Sequence, residues 1–226
     1  MQRYNMFNLI HKALCQMMYS TALSIQQTSF EDIYEAEETL EKLETVLHVF
    51  EKHAHHEDES VLPAVEKFDA VIAAELKKEH VTDVSLGNKL KNLINIYRYC
   101  NFTEERINCG SAISKAFIDF MIFNLEHIGK EEILLNHILW KNYTDEELID
   151  INRQIVVSLP SGESLFTSKW MIVSISNIEA IAWLSAIKTT TPEFVLHSIL
   201  KEAESNLPAH RFETIREAVM QTAMVA

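Results

Sequence analysis

Glycine and proline are scarce in this chain of 226 residues, which has only four of each. An all-β fold needs many tight turns, and these two residues usually form them, so their scarcity argues against such a fold. Cysteine is scarce as well: the three cysteines are an odd number without a Cys-x-x-Cys spacing, which argues against a disulfide scaffold. These absences predict an all-α protein with reduced cysteines.

Basic residues and long apolar runs are also lacking. The chain has 20 Lys and Arg against 33 Asp and Glu, which gives a net charge of -13. A nucleic-acid partner requires a basic face, so we expect none and interpret the excess acid as a solvated helical surface. No apolar run approaches the ~20 residues of a membrane span, and the first residues lack the pattern of a signal peptide. We therefore expect a cytoplasmic location and no membrane association.

Hydrophobic periodicity predicts four long helices, at about residues 4–27, 32–63, 70–99 and 104–140. Asp32 and Glu35 form a capping-box pattern at the start of the second helix. Four helices with short connections predict an up-down-up-down four-helix bundle. The sequence after it is also helical but has no ligand-like spacing. We therefore divide the chain into a bundle domain, residues 1–143, and a smaller C-terminal helical extension, residues 144–226, without an assigned role.

The spacing His-x-x-x-Glu places an imidazole and a carboxylate one turn apart on one face of a helix. Three pairs have this spacing: His53/Glu57, His55/Glu59 and His127/Glu131. The first two pairs are offset by two residues, a rotation of about 200°, so they cannot both face the core. His53 continues the apolar line through Phe50, whereas His55 continues a charged face. We predict that His53 and Glu57 point inward, and we interpret four neighbours as surface residues: His55, His56, Asp58 and Glu59.

Single histidines lie on the apolar faces of the first and third predicted helices, at His11 and His80. Taken alone, each would be interpreted as an ordinary hydrogen-bonded core residue. In antiparallel neighbours, however, two residues at one height lie equally far from the turn between them. The heights of the site are taken as 11, 55 (the middle of His53 and Glu57), 80 and 129 (the middle of His127 and Glu131). In chain order their midpoints are 33, 67–68 and 104–105, close to the turns predicted near residues 32, 68–69 and 101–103. All the donors are therefore expected at one level of the bundle.

Four imidazoles and two carboxylates in an apolar interior would be costly to bury without a compensating cation. We predict a pair of metal ions held by His11, His53, Glu57, His80, His127 and Glu131. The two glutamates would bridge the metals, and an oxo or hydroxo bridge with one open position on each metal would complete the coordination. Imidazole and carboxylate ligands suit iron, manganese or zinc, while the absence of cysteine ligands disfavours a structural zinc site.

The segment from His53 to Pro63, HAHHEDESVLP, resembles the HHE signature of the hemerythrin-like family, and the segment from His127 to Glu132 resembles its second copy. The resemblance covers residues 4–143, and the rest is similar to the helical extension of some bacterial members. It implies a four-helix bundle around a non-haem di-iron centre, with two irons per chain, that binds dioxygen or nitric oxide for sensing, storage or redox response.

Two departures from the family pattern qualify this expectation. Oxygen-carrying hemerythrins use five histidines, whereas four lie at the matched level here, which is more similar to the branch associated with iron–sulfur repair and nitrosative stress. The second copy also lacks the proline. One alternative is therefore an iron-donating or peroxidase-like stress-response protein, and another is an interaction protein with a lapsed metal site. The sequence also leaves open whether the chain forms a homodimer. The Glu-x-x-His pairs of ferritin-like oxidases and the His-Glu-x-x-His motif of zinc proteases are missing.

Overall fold

The computed structural model describes residues 3–221, and every regular element among them is a helix. This confirms the all-helical class. The same residues include no helix with the length and hydropathy of a membrane span. The helices are α1 (Asn8–Gln27), α2 (Ile33–His56), a π-helical turn (Glu57–Val61), α3 (Leu62–Glu66), α4 (Ala70–Tyr99), α5 (Thr103–Asn142), α6 (Asp145–Ser158), α7 (Ser161–Ser174), α8 (Asn177–Thr190), α9 (Glu193–Asn206) and α10 (Ala209–Gln221).

The second predicted helix differs most from its expected form. Instead of one helix that ends near Pro63, the chain passes from α2 through the π-helical turn into α3 and remains helical to Glu66. Proline lacks an N–H, and its ring clashes with the carbonyl four residues earlier in an α-helix. The wider π turn immediately before Pro63 relieves this conflict. The chain therefore remains helical past the proline.

Aspartate side chains cap the starts of two of the long helices. Asp32 Oδ1 accepts hydrogen bonds from the backbone N–H groups of Tyr34, at 2.9 Å, and Glu35, at 3.2 Å. Asp69 caps α4 in the same manner, through the N–H groups of the second and third residues that follow it. These bonds satisfy N–H groups that have no partner within the helix. They fix the two turns at the positions that the sequence predicts.

The chain divides into two compact units. Residues 3–7 and 17–155 form the first, which contains α2 to α5 and most of α6. The interface between α4 and α5 is the most extensive in this unit. Leu148 of α6 is fully buried in its core. The predicted domain boundary, between residues 143 and 144, lies just before this helix.

Residues 8–16 and 156–221 form the second unit. Its core is an apolar cluster from α7 to α10. In the first turn of α8, Glu179 forms a capping box with Ser176. The same carboxylate accepts a hydrogen bond from Asn8 at 2.9 Å and pairs with Lys12. Burial would raise the pKa of Glu179, but these hydrogen bonds dominate and lower its pKa to about 2. The best-buried members of the cluster are Ile172, Ala180, Leu184, Ala203, Ile215 and Val219.

Candidate metal centre

Four potential metal ligands of the first unit converge in its interior. Glu57 is the first residue of the π-helical turn, His80 lies in α4, and His127 and Glu131 lie one turn apart in α5. All four side chains are buried, and one donor atom from each lies within 4.8 Å of the donor atoms of the other three. Imidazole and carboxylate groups at this separation can hold a metal ion.

A second group of donors adjoins the first. His53, near the end of α2, has a donor atom within 4.8 Å of donor atoms of Glu57 and Glu131. Its side chain is 12% exposed, so it lies at the edge of the buried cluster. The two groups therefore share both carboxylates and differ in their imidazoles. Each group could hold a metal ion, and the two groups adjoin through these shared carboxylates.

The distances between donor atoms agree with ligands around a common centre. Metal–ligand distances of about 2.0–2.2 Å and angles of about 90–109° place neighbouring donors about 2.8–3.6 Å apart. Nε2 of His80 lies 3.4 Å from Glu57 Oε2 and 3.5 Å from Glu131 Oε1. Nε2 of His127 lies 3.0 Å from Glu131 Oε1. Finally, Glu57 Oε1 lies 3.4 Å from Nε2 of His53. Glu57 therefore directs one oxygen to each group, as a bridging carboxylate does.

A second layer of carboxylates holds two of the imidazoles in place. Nδ1 of His80 lies 2.9 Å from Asp58 Oδ1, and Nδ1 of His127 lies 2.7 Å from Glu79 Oε2. The other oxygen of Glu79 pairs with Lys130. A ring that donates its Nδ1 proton to a carboxylate directs the lone pair of Nε2 toward the centre. Both rings are thus oriented as metal ligands.

The same carboxylates raise the pKa values of the imidazoles. Burial alone would lower the pKa of His80, but the neighbouring carboxylates of Glu131, Glu57 and Asp58 outweigh it and raise the pKa to about 11. Burial would likewise lower the pKa of His127, but its carboxylate neighbours, chiefly Glu131, outweigh this effect and raise the pKa. A metal ion that binds Nε2 of either ring must therefore displace a proton.

The polypeptide around Glu57 departs from ordinary helical geometry. Residues Glu57 to Val61 form the π-helical turn, which inserts one extra residue into the helical path. The carboxylate of Glu57 lies beside Nε2 of His80, while that of the next residue, Asp58, lies beside Nδ1 of the same ring. Two consecutive residues of the π-helical turn thus lie beside the two nitrogens of one imidazole. Turns of this type are frequent at functional sites.

A buried polar pair lies one turn away from the centre on α4 and α5. Asn124 Nδ2 donates to Asp83 Oδ1 at 2.7 Å and to the carbonyl of Phe120 at 3.1 Å. Burial raises the pKa of Asp83. The neighbouring Phe123 stacks on the imidazole of His127 with ring centroids 6.0 Å apart. A buried polar pair and an aromatic ring therefore both lie close to the candidate site.

The structure confirms that His55 and Glu59 are surface residues. Their side chains are 57% and 65% exposed and form a pair at the surface. Asp58 is also partly exposed, at 40%, but its carboxylate hydrogen-bonds to His80, a role that the sequence did not predict. His11 is buried in α1, within the segment 8–16 that belongs to the second unit, and its role as a ligand stays a prediction.

Three polar residues near the centre were not identified from the sequence: Glu79, Asp83 and Asn124. On α4 the apolar residue Val84 is 40% exposed, whereas its charged neighbour Asp83 is 4% exposed. The helical spacing of α4 nevertheless indicates that position 83 is buried. The buried positions 76, 80, 83, 87, 90 and 94 follow one another at intervals of three or four residues. A charged residue at such a position indicates a buried polar contact.

Comparison with known proteins gives no match: no family model matches the chain, and no curated protein or solved structure matches it significantly. The chemistry of the site must therefore be inferred from its own donors.

Proposed function

We propose that this chain is a hemerythrin-like non-haem di-iron protein that binds dioxygen or nitric oxide. One observation supports the proposal above all others: two groups of imidazole and carboxylate donors share the buried carboxylates Glu57 and Glu131. A single cation would need only one of these groups. The proposed fold around the site is the up-down-up-down four-helix bundle, and the proposed ligands are His11, His53, Glu57, His80, His127 and Glu131.

The roles of the residues follow from their chemistry. Each imidazole would hold a cation through a neutral ring nitrogen, and the two carboxylates would offset the charge of the cations. Asp58 and Glu79 keep two of the rings in the orientation that metal binding requires. Phe123 stacks on the ring of His127 beside the proposed site. When bound, two irons would supply a redox-active centre at which a small gaseous ligand can bind.

The first experiment is metal analysis of the full chain purified after growth with ample iron. We expect about two irons per chain, and we expect an absorption spectrum that changes when the reduced protein meets air or nitric oxide. Protein that contains no metal and acquires none on incubation with iron(II) would contradict the proposal. It would support the alternative of a lapsed site, in which the buried acids and imidazoles only form ion pairs.

A matched pair of variants tests the ligand assignment. His53→Ala removes an imidazole whose Nε2 lies 3.4 Å from Glu57, whereas His55→Ala removes the exposed imidazole two residues away. We expect metal content to fall in the first variant and to remain unchanged in the second. Loss of metal in His55→Ala but not in His53→Ala would show that the other face of the helix binds the metal.

A further inference from the structure

A groove of about 1010 Å³ lies on the first unit where α4 ends and α5 begins. It is remote from the candidate metal centre, because the chain from His80 to Cys100 covers about 30 Å at the helical rise of 1.5 Å per residue. Apolar side chains of α4, among them Leu93, Ile96 and Tyr99, form much of its lining. Two of the three cysteines of the chain, Cys100 and Cys109, line the same groove.

The two thiols are neighbours. Cys100 Sγ donates a hydrogen bond to the carbonyl of Ile96, and Cys109 Sγ donates one to the carbonyl of Leu93, both at 3.4 Å. These carbonyls are three residues apart, on successive turns of the same helix. The groove therefore presents a pair of adjacent thiols, which an odd number of widely spaced cysteines does not suggest.

The two thiols differ in accessibility. Cys100 is partly exposed at the end of α4, whereas Cys109 is buried in α5. Burial, with a smaller contribution from Cys100, raises the pKa of Cys109 to about 11, so this residue remains a thiol at neutral pH. An attacking cysteine must be accessible and must reach the thiolate form. Cys100 meets the first condition better than its neighbour does.

We propose that Cys100 and Cys109 form a reversible dithiol–disulfide site whose oxidant is a small organic disulfide. The Cys100 thiolate attacks one sulfur of the oxidant, which forms a mixed disulfide on Cys100 and releases one thiolate. Cys109 then attacks Cys100 Sγ, gives up its proton and releases the second thiol. Overall, two protein thiols are oxidised to one disulfide, and one organic disulfide is reduced to two thiols.

The test uses the full chain and glutathione disulfide as the probe. Reduced protein is incubated with the probe, quenched in acid and analysed by intact mass, by thiol counting after unfolding and by peptide mapping. We expect the mass to fall by two hydrogen atoms without a retained glutathione, a peptide bridge between Cys100 and Cys109, and full reversal by dithiothreitol. Cys15→Ser, which changes the third cysteine in α1, serves as the control and should behave like the unchanged chain.

Two further variants separate the roles of the thiols. Cys109→Ser should retain one glutathione on Cys100, because no second thiol can displace it. Cys100→Ser should react with the probe at about one tenth of the rate of the unchanged chain or below, because only the buried thiol remains in the groove. The proposal is overturned if the unchanged chain accumulates glutathione adducts or bridges to Cys15. Equal reaction rates for the two variants would overturn the assignment of Cys100 as the attacking residue.

Discussion

Metal binding at the centre should depend steeply on pH, because protons compete with cations for the imidazole nitrogens. The pKa of His80 is raised from 6.5 to about 11, so this ring carries a proton throughout the neutral range. A cation that binds Nε2 must displace it, which increases the apparent affinity about tenfold per pH unit. The pKa of His127 is also raised, and a second displaced proton would bring the increase to about 100-fold per unit.

Without metal, the stability of the fold should decrease as the pH rises, whereas the metal affinity should increase. A group with a raised pKa in the folded state contributes stability that is fully present below its unfolded value, here 6.5. This contribution is lost as the pH rises through the folded value of about 11. Added metal replaces the displaced protons and stabilises the folded state according to its affinity. The difference in melting temperature between loaded and metal-free protein should therefore increase with pH.

Zinc is a suitable cation for this measurement because it has no redox chemistry. Its affinity can be determined by competition with a chromophoric chelator between about pH 6 and about pH 8, and calorimetry in two buffers of different protonation enthalpy counts the released protons. The surface variant His55→Ala should have the same slope as the unchanged chain. An affinity that stays constant, once the proton binding of the chelator is subtracted, would refute the reasoning.

Three further predictions concern the packing of the chain, the second layer of the site and the second unit. A Cβ at Gly110 would lie 2.2 Å from Cγ and 2.6 Å from Cβ of Phe30, so Gly110→Ala should destabilise the protein by about 1–3 kcal/mol; Gly129→Ala, in open space on the same helix, should instead stabilise it by up to about 1 kcal/mol. Urea denaturation of both variants checks these signs. Glu79→Gln should weaken metal binding about 10- to 100-fold, because it weakens the acceptor for an imidazole proton, and chelator competition measures this loss. The low pKa of Glu179 contributes stability that is present above 4.5 and lost as the pH falls toward about 2, so Glu179→Gln should cost about 1 kcal/mol at neutral pH and almost nothing in acid; melting temperatures at both pH values test this.

Sequence periodicity was sufficient to predict the helices because each long helix has one continuous apolar face. Helix α4, for example, occupies the predicted range 70–99, and α5 differs from its predicted range by one residue at the start and two at the end. Capping residues strengthened these assignments. The pair Thr144 and Glu147 forms reciprocal hydrogen bonds at the start of α6, as its spacing indicates. Such features involve only neighbouring residues, so they can be recognised without knowledge of the tertiary structure.

The second layer of the site could not be predicted in the same way, because it depends on contacts between helices. Glu79 immediately precedes a predicted ligand, and one residue along a helix is a rotation of about 100°, so the two side chains do not share a face. Its partner, His127, belongs to α5 and lies 48 residues away. Asp58 reaches His80 by way of a π-helical turn that a regular helical pattern does not anticipate. Only the tertiary structure relates these residues.

The separations around His80 bear on whether the centre binds metal or is only a cluster of ion pairs. Protonated imidazoles could compensate for the buried acids, so charge alone does not distinguish the two possibilities. Hydrogen-bonded ion pairs usually shorten to about 2.7–2.9 Å. On its outer side, Nδ1 of His80 does so, at 2.9 Å from Asp58. On its inner side, Nε2 stays 3.4 Å from Glu57 and 3.5 Å from Glu131, although both carboxylates are buried beside it. His127 is intermediate, with an inner separation of 3.0 Å and an outer one of 2.7 Å. Donors that surround a common cation keep this longer spacing, since each is drawn toward the metal rather than toward its neighbour. The contrast between the two nitrogens of a single ring therefore favours a metal centre.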